Sequence, residues 1–237
     1  MILALIILPV VCGMLVFLPG VGKYSRFFLL AAALLHFLLT ASVWGMSLPL
    51  ELDGGWLALD SLSLLFLSIC SGLFLAASIY TLAYIGPEKR LPVHDLLHGF
   101  HFSNQPDRVF IGCLLFFLAS MTAVTVSHHL GVLWIAVEAT TLSSTPLIYY
   151  HRHNRSLEAA WKYLLICSVG IAIALLGNFF LAVAASSGEG KEISMLVPEL
   201  VRHATELSPD WLKAAFLLML VGYGTKMGLA PMHTWLP

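Results

Sequence analysis

Three charged residues lie inside long apolar stretches of this 237-residue sequence. Glu138 stands in the run LWIAVEATTL, Lys162 in AWKYL and Lys226 in GYGTKMG. A charge at the centre of a membrane-spanning helix costs about 2.5–3.5 kcal/mol, and such residues face the bundle interior and mark ion or proton paths. Movement of Glu138 relative to Lys226 would bind or release a proton. The alternative is a static ion pair that fixes helix packing, and Lys162 also has the length to reach the membrane interface.

Histidines supply further candidates for proton transfer, because the imidazole ionises near neutral pH. His128 and His129 lie at one end of the fifth apolar segment, and His151 and His153 lie at the other. We expect these four to serve proton uptake or release, with plain interfacial packing as the alternative. His233 follows a charged apolar run and suits a proton relay, with an ordinary hydrogen-bonded role as the alternative.

The sequence predicts neither a catalytic site nor a bound cofactor or metal in this chain. His94, His98 and His101 have helical spacing, but Pro92 and Gly99 argue against the helix that a metal site would need. The four cysteines are isolated within apolar runs and form no CxxC pair. Nucleophile-elbow, phosphate-loop, dinucleotide and haem motifs are absent from the sequence.

The composition places these residues in a membrane protein. Hydrophobic residues make up 59% of the chain and charged residues only 11%, against about 25% charged in soluble domains. The net charge of −1 gives no indication of a nucleic-acid partner. The apolar residues cluster into seven segments, each long enough to span a bilayer as a helix: 1–19, 27–47, 61–86, 109–127, 130–150, 157–186 and 209–235. The sequence therefore predicts an all-α membrane protein with about seven transmembrane helices.

Charges in the loops predict the orientation. The odd-numbered loops carry the basic residues Lys23, Arg26, Lys89, Arg90, Arg108, Arg152 and Arg155, whereas the even-numbered loops are neutral or acidic. By the positive-inside rule, the odd-numbered loops are cytoplasmic, the N-terminus lies outside and the C-terminus is cytoplasmic.

Two local features are also predicted. Gly222, Gly224 and Gly228 precede Pro231, so the last helix is expected to break near Pro231, although an ordinary proline kink remains the alternative. Broken helices beside a charged residue recur in transporters. Residues 193–207 have apolar positions at helical spacing and predict a short amphipathic helix on the outer surface.

Two long motifs resemble one family. Residues 222–237 read GYGTKMGLAPMHTWLP, and residues 133–142 read LWIAVEATTL. They are similar to the span-seven and span-five motifs of the antiporter-like subunits of respiratory NADH dehydrogenase, Mrp-type sodium/proton antiporters and membrane-bound hydrogenases. Residues 157–170, LEAAWKYLLICSVG, most resemble component F of hydrogenase-4.

The resemblance implies proton translocation in the cell inner (plasma) membrane, driven by redox chemistry in neighbouring subunits. Glu138 matches the family's span-five glutamate, Lys226 its paired span-seven lysine and Lys162 a span-six lysine that would carry the proton inward; His233 lies within the span-seven motif. The implied partners are other membrane subunits and a peripheral redox module holding nickel–iron and iron–sulfur centres. The translocated ion would be a proton or sodium.

The resemblance also implies how the chain divides. Residues 1–108 would form a three-helix membrane segment with a cytoplasmic loop, and residues 109–237 four helices of an incomplete first antiporter-like repeat. The chain thus resembles the N-terminal half of such subunits, which puts transport by this chain alone in doubt. The alternatives are an Mrp-type sodium/proton antiporter subunit and a truncated structural or assembly fragment that transports nothing.

Overall fold

The computed structural model describes residues 1–52, 54–85, 93–94, 101–102, 104–186 and 194–236. The apolar runs fold as helices, because only a helix satisfies its backbone hydrogen bonds within one lipid-embedded segment. The α-helices in these residues are α1 (Ile2–Phe17), α2 (Ser25–Val43), α3 (Ser61–Ile85), α4 (Asp107–Val126), α5 (Leu130–Ile148), α6 (Asn154–Ser186), α7 (Val197–Arg202) and α8 (Pro209–Met227). Two antiparallel ribbons pair β1 (Leu50–Glu51) with β2 (Ala58–Leu59), and β3 (Val93–His94) with β4 (His101–Phe102).

Five stretches of the described chain are long and apolar enough to span a membrane: Gly22–Val43, Ser61–Ile85, Asp107–Val126, Leu130–Ile148 and Asn154–Ser186. The multi-pass membrane character is therefore confirmed, whereas the count of seven spans is not. Helix α1 has only 16 residues. Its length of about 24 Å is less than a typical hydrocarbon core. Helix α8 includes three charged residues, Asp210, Lys213 and Lys226, which reduce its hydropathy.

Three apolar clusters form the core of the described residues. Helix α1 packs on α2 and α4, α2 on α3, α4 on α5, α5 on α6, and α6 on α8. One cluster lies in the half of the α1–α4 bundle next to the first and third loops: Val16, Leu29, Ala32, Ala33, Phe74, Ile85, Ile111, Leu115 and Leu118. The second lies where β2 meets this bundle: Ile2, Leu5, Val43, Leu59, Leu64, Leu67 and Val126. The third lies beneath α7: Leu130, Leu181, Ala185, Leu200, Leu207 and Ala215.

A fully buried histidine ties three of these helices together. His36 of α2 has no exposed surface, and its Nδ1 lies 2.9 Å from Ser71 Oγ of α3. Its Nε2 lies 3.0 Å from Thr122 Oγ1 of α4. Thr122 donates its own hydroxyl proton to the Leu118 carbonyl, so it accepts from His36 Nε2–H. His36 is therefore the Nε2–H tautomer, and Ser71 donates to its Nδ1.

Contacts between loops show which of them share an end of the bundle. Arg26, next to the first loop, donates to Asp107 at 2.9 Å, and Asn104 of the third loop bonds to His151 of the fifth. At the opposite end, Leu57 bridges to Ser127, and His129 bridges to Leu196. Odd-numbered and even-numbered loops thus gather at opposite ends, as the alternation of loop charge requires. Which end is cytoplasmic stays a prediction. Lys89 and Arg90, two of the basic residues on which it is based, lie outside the described residues.

Helix α8 ends at Met227, just before the predicted break. Gly228 takes a left-handed backbone conformation (φ 76°), which favours glycine. The Gly228 and Leu229 amides donate to the carbonyls of Thr225 and Gly224 and satisfy the helix end. Residues from 230 to 235 continue as turns. The interruption is therefore placed by Gly228 rather than by Pro231.

The sixth loop differs from its prediction in extent, whereas the described residues of the third loop are not helical at His94 and His101, as Pro92 and Gly99 predict. In the sixth loop the helix is α7, which covers only Val197–Arg202, and residue 193 lies outside the described residues. In the third loop His94 pairs with His101 in the β3–β4 ribbon, and His98 lies outside the described residues. The helix that a metal site would require is thus replaced at His94 and His101 by an extended backbone.

Candidate functional site

Close approach of α6 and α8 forms the frame of the site. A Cβ atom added to Gly170 would overlap Thr225, and one added to Gly222 would overlap Ala174. A Cβ at Gly177 would lie 2.6 Å from Met219. Small residues at such positions allow two membrane helices to approach closely. This contact fixes the end of α8 against α6.

Lys226, in the last turn of α8, is bound by hydroxyl groups of two other helices. Its Nζ donates to Thr141 Oγ1 of α5 at 2.8 Å and to Tyr163 Oη of α6 at 2.7 Å. The ammonium also lies 5.0 Å from the centroid of the Tyr163 ring, within cation–π range. The Lys226 side chain is thus half-buried between α5, α6 and α8.

Further hydroxyl groups are hydrogen-bonded in series beyond Lys226. Tyr163 Oη lies 2.8 Å from Ser144 Oγ, and Ser144 donates to the Thr140 carbonyl at 2.6 Å. The Tyr163 ring packs edge-on against Trp235 at 5.3 Å between centroids. Tyr163, Ser144, Thr140 and Lys226 line a cleft of about 570 Å³ whose other walls are mainly apolar.

Glu138 lies on α5 next to this group. Its Oε1 accepts from Ser168 Oγ of α6 at 2.9 Å. Its Oε2 is buried and has no hydrogen-bond partner among the described residues. Thr141, which binds Lys226, lies three positions along α5 and hence on the same face as Glu138. Both predicted charges therefore belong to the α5–α6–α8 group, but no direct ion pair between them forms within the described chain.

Lys162 lies on an exposed face of α6. Its Nζ pairs with Glu158 at 2.6 Å, and the two side chains are 60% and 63% exposed. Its neighbour Tyr163 was not among the predicted site residues and is the one that contacts Lys226. One signal in the sequence could have found it. Tyr163 shares one helix face with the small residues Cys167, Gly170, Ala174 and Gly177, because they follow it at alternating spacings of four and three.

The histidines at the end of the bundle formed by the even-numbered loops contact nearby polar and aromatic groups. His128 Nε2 lies 3.9 Å from Asp60 Oδ2. The Ser63 amide and His128 together hold the pKa of the Asp60 carboxyl below its ordinary value. His129 accepts from the Gly131 amide at 3.1 Å and stacks on Trp56 at 4.7 Å between ring centroids. His129 therefore caps α5.

The remaining predicted histidines lie near the opposite end. His151 bonds to Asn104 Oδ1 at 2.8 Å and to Tyr84 Oη at 3.1 Å, which links α3 to the fifth loop. His153 Nδ1 accepts from the Arg155 amide at 3.0 Å. His233 lies on the exposed turn that follows α8. The structure thus places none of these three in hydrogen-bond contact with Lys226.

No group of three potential metal ligands is found in the described ranges of the chain. The four cysteines are free thiols on α1, α3, α4 and α6: Cys12, Cys70, Cys113 and Cys167. The polar groups that the bundle brings together are instead hydroxyls, one carboxylate and one amine, which suit proton transfer.

Residues 127–237 match the family described as "NADH:quinone oxidoreductase/Mrp antiporter, TM". The chain is 30% identical over 185 residues to a "Hydrogenase-4 component F homolog" of Methylacidiphilum infernorum, covering 78% of this chain and 37% of that protein. It is 29% identical over 237 residues to "NADH-quinone oxidoreductase subunit N" of Halorhodospira halophila, covering 98% of this chain and 44% of that protein. A "Na(+)/H(+) antiporter subunit A1" of Staphylococcus haemolyticus is 32% identical over 196 residues, 81% of this chain and 20% of that protein. The chain spans less than half the length of these relatives.

The fold has counterparts in solved respiratory complexes. It is similar to a chain of the membrane-bound sulfane sulfur reductase, an archaeal respiratory membrane complex, with a TM-score of 0.78 and 18% identity over 99% of this chain. A chain of respiratory complex I from Thermus thermophilus gives a TM-score of 0.72 and 23% identity. In each case the likeness covers 46% of the other chain. Residues 127–237 of this chain are thus similar to the NADH:quinone oxidoreductase/Mrp antiporter family of membrane subunits.

Proposed function

We propose that this chain is a membrane subunit that couples redox energy to proton translocation through Glu138 and Lys226. The complex would be a membrane-bound hydrogenase, a formate hydrogenlyase-like complex or an NADH dehydrogenase-like complex in the cell inner (plasma) membrane. The chain would bind other membrane subunits and a peripheral redox module whose nickel–iron and iron–sulfur centres lie outside this chain. Relatives named for hydrogenase-4 and NADH-quinone oxidoreductase support this range of complexes.

The position of Lys226 carries this proposal. An ammonium group inside a group of helices is costly unless polar partners solvate it. Here Thr141 and Tyr163 supply two hydroxyls, and Glu138 lies on the same face of α5 as Thr141. Neutral hydroxyl partners solvate the charge without a direct ion pair, which supports a role for Lys226 in proton transfer.

A water molecule is the natural link between the two charges. Glu138 Oε2 is buried without a partner in the described part of the chain, and an ammonium group has three donors. Buried carboxylate oxygens require a hydrogen-bond donor, and ordered water commonly supplies one. We expect one or more waters to pass the proton between Glu138 and Lys226.

The test measures proton transport by the complex that contains this chain. The chain would be purified with its associated subunits, inserted into sealed lipid vesicles and energised with hydrogen, formate or NADH. Internal acidification, followed with a pH-sensitive dye, reports proton flux, and the donor that drives it identifies the redox partner. We expect Glu138→Gln and Lys226→Met each to abolish flux.

Glu51→Gln is the matched control, because Glu51 is an exposed carboxylate on β1. It should leave flux unchanged. Flux that persists in Glu138→Gln vesicles would refute the proposed role of the Glu138–Lys226 pair. Wild-type vesicles that transport nothing with any donor would favour the structural or assembly role.

A sodium/proton antiporter subunit is the second candidate, favoured by the 32% identity to Na(+)/H(+) antiporter subunit A1. In the same vesicles an imposed pH gradient would then drive uptake of radioactive sodium without any electron donor. Sodium uptake that Glu138→Gln abolishes would assign the chain to this second function.

A further inference from the structure

We infer that Tyr163 and Ser144 carry the proton between Lys226 and the cleft. The family resemblance predicts Lys162 for this role. This inference rests on the proposed function, because it names the carriers that follow Lys226. Its basis is one continuous chain of short hydrogen bonds through three helices.

The hydrogen bonds in this chain share one direction. An ammonium group has no lone pair, so Lys226 Nζ donates to Tyr163 Oη at 2.7 Å. Ser144 donates its single proton to the Thr140 carbonyl at 2.6 Å. With its proton on a carbonyl of α5, Ser144 Oγ accepts from the Tyr163 hydroxyl, 2.8 Å away. Every proton in the chain points away from Lys226.

Proton transfer along this row of hydrogen bonds conserves every proton. Lys226 passes one proton to Tyr163 Oη, while Tyr163 passes its hydroxyl proton to Ser144 Oγ. Ser144 turns from the Thr140 carbonyl and passes its own proton to a water in the cleft. Lys226 becomes a neutral amine, both hydroxyls regain one proton each, and the water carries the released proton.

The cleft provides the space that this step requires. Its volume of about 570 Å³ holds several waters, and Ser144, Tyr163 and Lys226 all form part of its wall. Lys162 is not part of that wall, and its ammonium pairs with Glu158 on an exposed face. The hydroxyl chain is thus the route that begins in direct contact with Lys226.

The test compares variants in the vesicle assay described above. Tyr163→Phe keeps the ring that packs against Trp235 and Lys226 but removes the hydroxyl, and we expect flux to fall about tenfold or more. Ser144→Ala interrupts the same chain at the next link and should have a similar effect. Lys162→Gln should reduce flux less than Tyr163→Phe does. Tyr223→Phe is the matched control, because it removes a hydroxyl that bonds to Asn178 instead, and flux should stay within about twofold.

A second readout does not depend on transport. A double-mutant cycle on thermal unfolding in detergent would combine Tyr163→Phe with Lys226→Met, and the two effects should be non-additive if the hydrogen bond exists. Tyr24→Phe is the control at an exposed site, and its effect on thermal unfolding should be additive with that of Lys226→Met.

The outcomes separate the two proposals. Full flux in both Tyr163→Phe and Ser144→Ala, with none in Glu138→Gln, would overturn the hydroxyl route and leave the proposed function intact. Additive unfolding effects for Tyr163 and Lys226 would also overturn it. Flux that is indifferent to Glu138→Gln would refute both proposals together.

Discussion

Lys226 is bound by the hydroxyls of Thr141 and Tyr163, and Glu138 by the hydroxyl of Ser168. A direct ion pair at about 4 Å would be worth about 4 kcal/mol at an effective dielectric of 20 and would hold both groups in their charged forms. Hydroxyl partners can donate or accept, so they tolerate either protonation state. At the scale of single residues, the structure thus shows hydroxyl partners in place of a direct ion pair, an arrangement that is compatible with the proposed proton exchange.

Removal of the Ser168 hydroxyl, which donates to Glu138, tests this view. We expect Ser168→Ala to lower proton flux about threefold to tenfold, because the carboxylate loses a charge-assisted hydrogen bond that positions it. Flux through vesicles containing the complex is the measurement.

Ser143→Ala is the control for this prediction, since the Ser143 hydroxyl bonds only to carbonyls of its own helix within the described residues. Equal flux in the wild-type and Ser168→Ala proteins would mean that Glu138 does not depend on this hydroxyl for its position.

At the scale of helices, the contact between α6 and α8 determines where Lys226 lies. Gly170, Ala174 and Gly177 recur along one face of α6, opposite Thr225 and Gly222 of α8. Any larger residue there would separate the two helices and withdraw Lys226 from Thr141 and Tyr163. The glycines of these helices therefore serve packing and the site at once.

Gly170→Ala is expected to destabilise the protein by about 1–3 kcal/mol, because the added methyl group overlaps Thr225. It should also reduce proton flux, since Thr225 adjoins Lys226. Gly72→Ala is the control: it also lies within a helix, but its added methyl group would only touch Phe37 at 3.8 Å. Unfolding in detergent measures stability, and a Gly170→Ala protein as stable as Gly72→Ala would contradict the close contact.

The His36 junction performs a comparable role in the α1–α4 bundle. His36→Leu removes two buried side-chain hydrogen bonds and should destabilise the protein by about 1–3 kcal/mol. Ser42→Ala, which removes only an exposed bond to the Leu39 carbonyl of the same helix, should have little effect. Thermal unfolding of both variants is the measurement, and an unchanged melting temperature for His36→Leu would show that the junction adds no net stability.

At the scale of the whole molecule, contacts between loops show which helix ends lie at the same end of the bundle. Arg26, Asp107 and His151 mark one end, and Ser127 and Leu196 mark the other. Because the described residues of the basic loops lie at the first of these ends, the positive-inside rule predicts that this end is cytoplasmic.

Labelling of single cysteines tests this orientation. In a background without the four native cysteines, Ala204→Cys should react with a membrane-impermeant maleimide in intact cells. Arg152→Cys should react only after the membrane is opened. Both positions are exposed in the structure, so each serves as the control for the other. The reverse pattern would invert the orientation.

The sequence by itself determined where the long helices run. Continuous apolar runs must become helices in lipid, so the predicted segments agree closely with α1–α6. The last predicted segment, 209–235, begins with α8 but extends beyond its end at Met227. Of the three charges within the apolar runs, Glu138 and Lys226 are half-buried between helices, whereas Lys162 lies on an exposed face of α6. The resemblance in residues 133–142 and 222–237 agrees with the family that matches residues 127–237.

Only the tertiary structure decided which partner meets each charge. Lys162 and Tyr163 are adjacent in sequence, but neighbours on a helix point about 100° apart, so one is exposed and the other contacts Lys226. Glu138 and Lys226 belong to one helix group without touching, because α6 supplies Ser168 and Tyr163 as the groups that they contact. Those pairings depend on how closely α6 and α8 approach, and composition and periodicity along a single helix do not specify the distance between two helices.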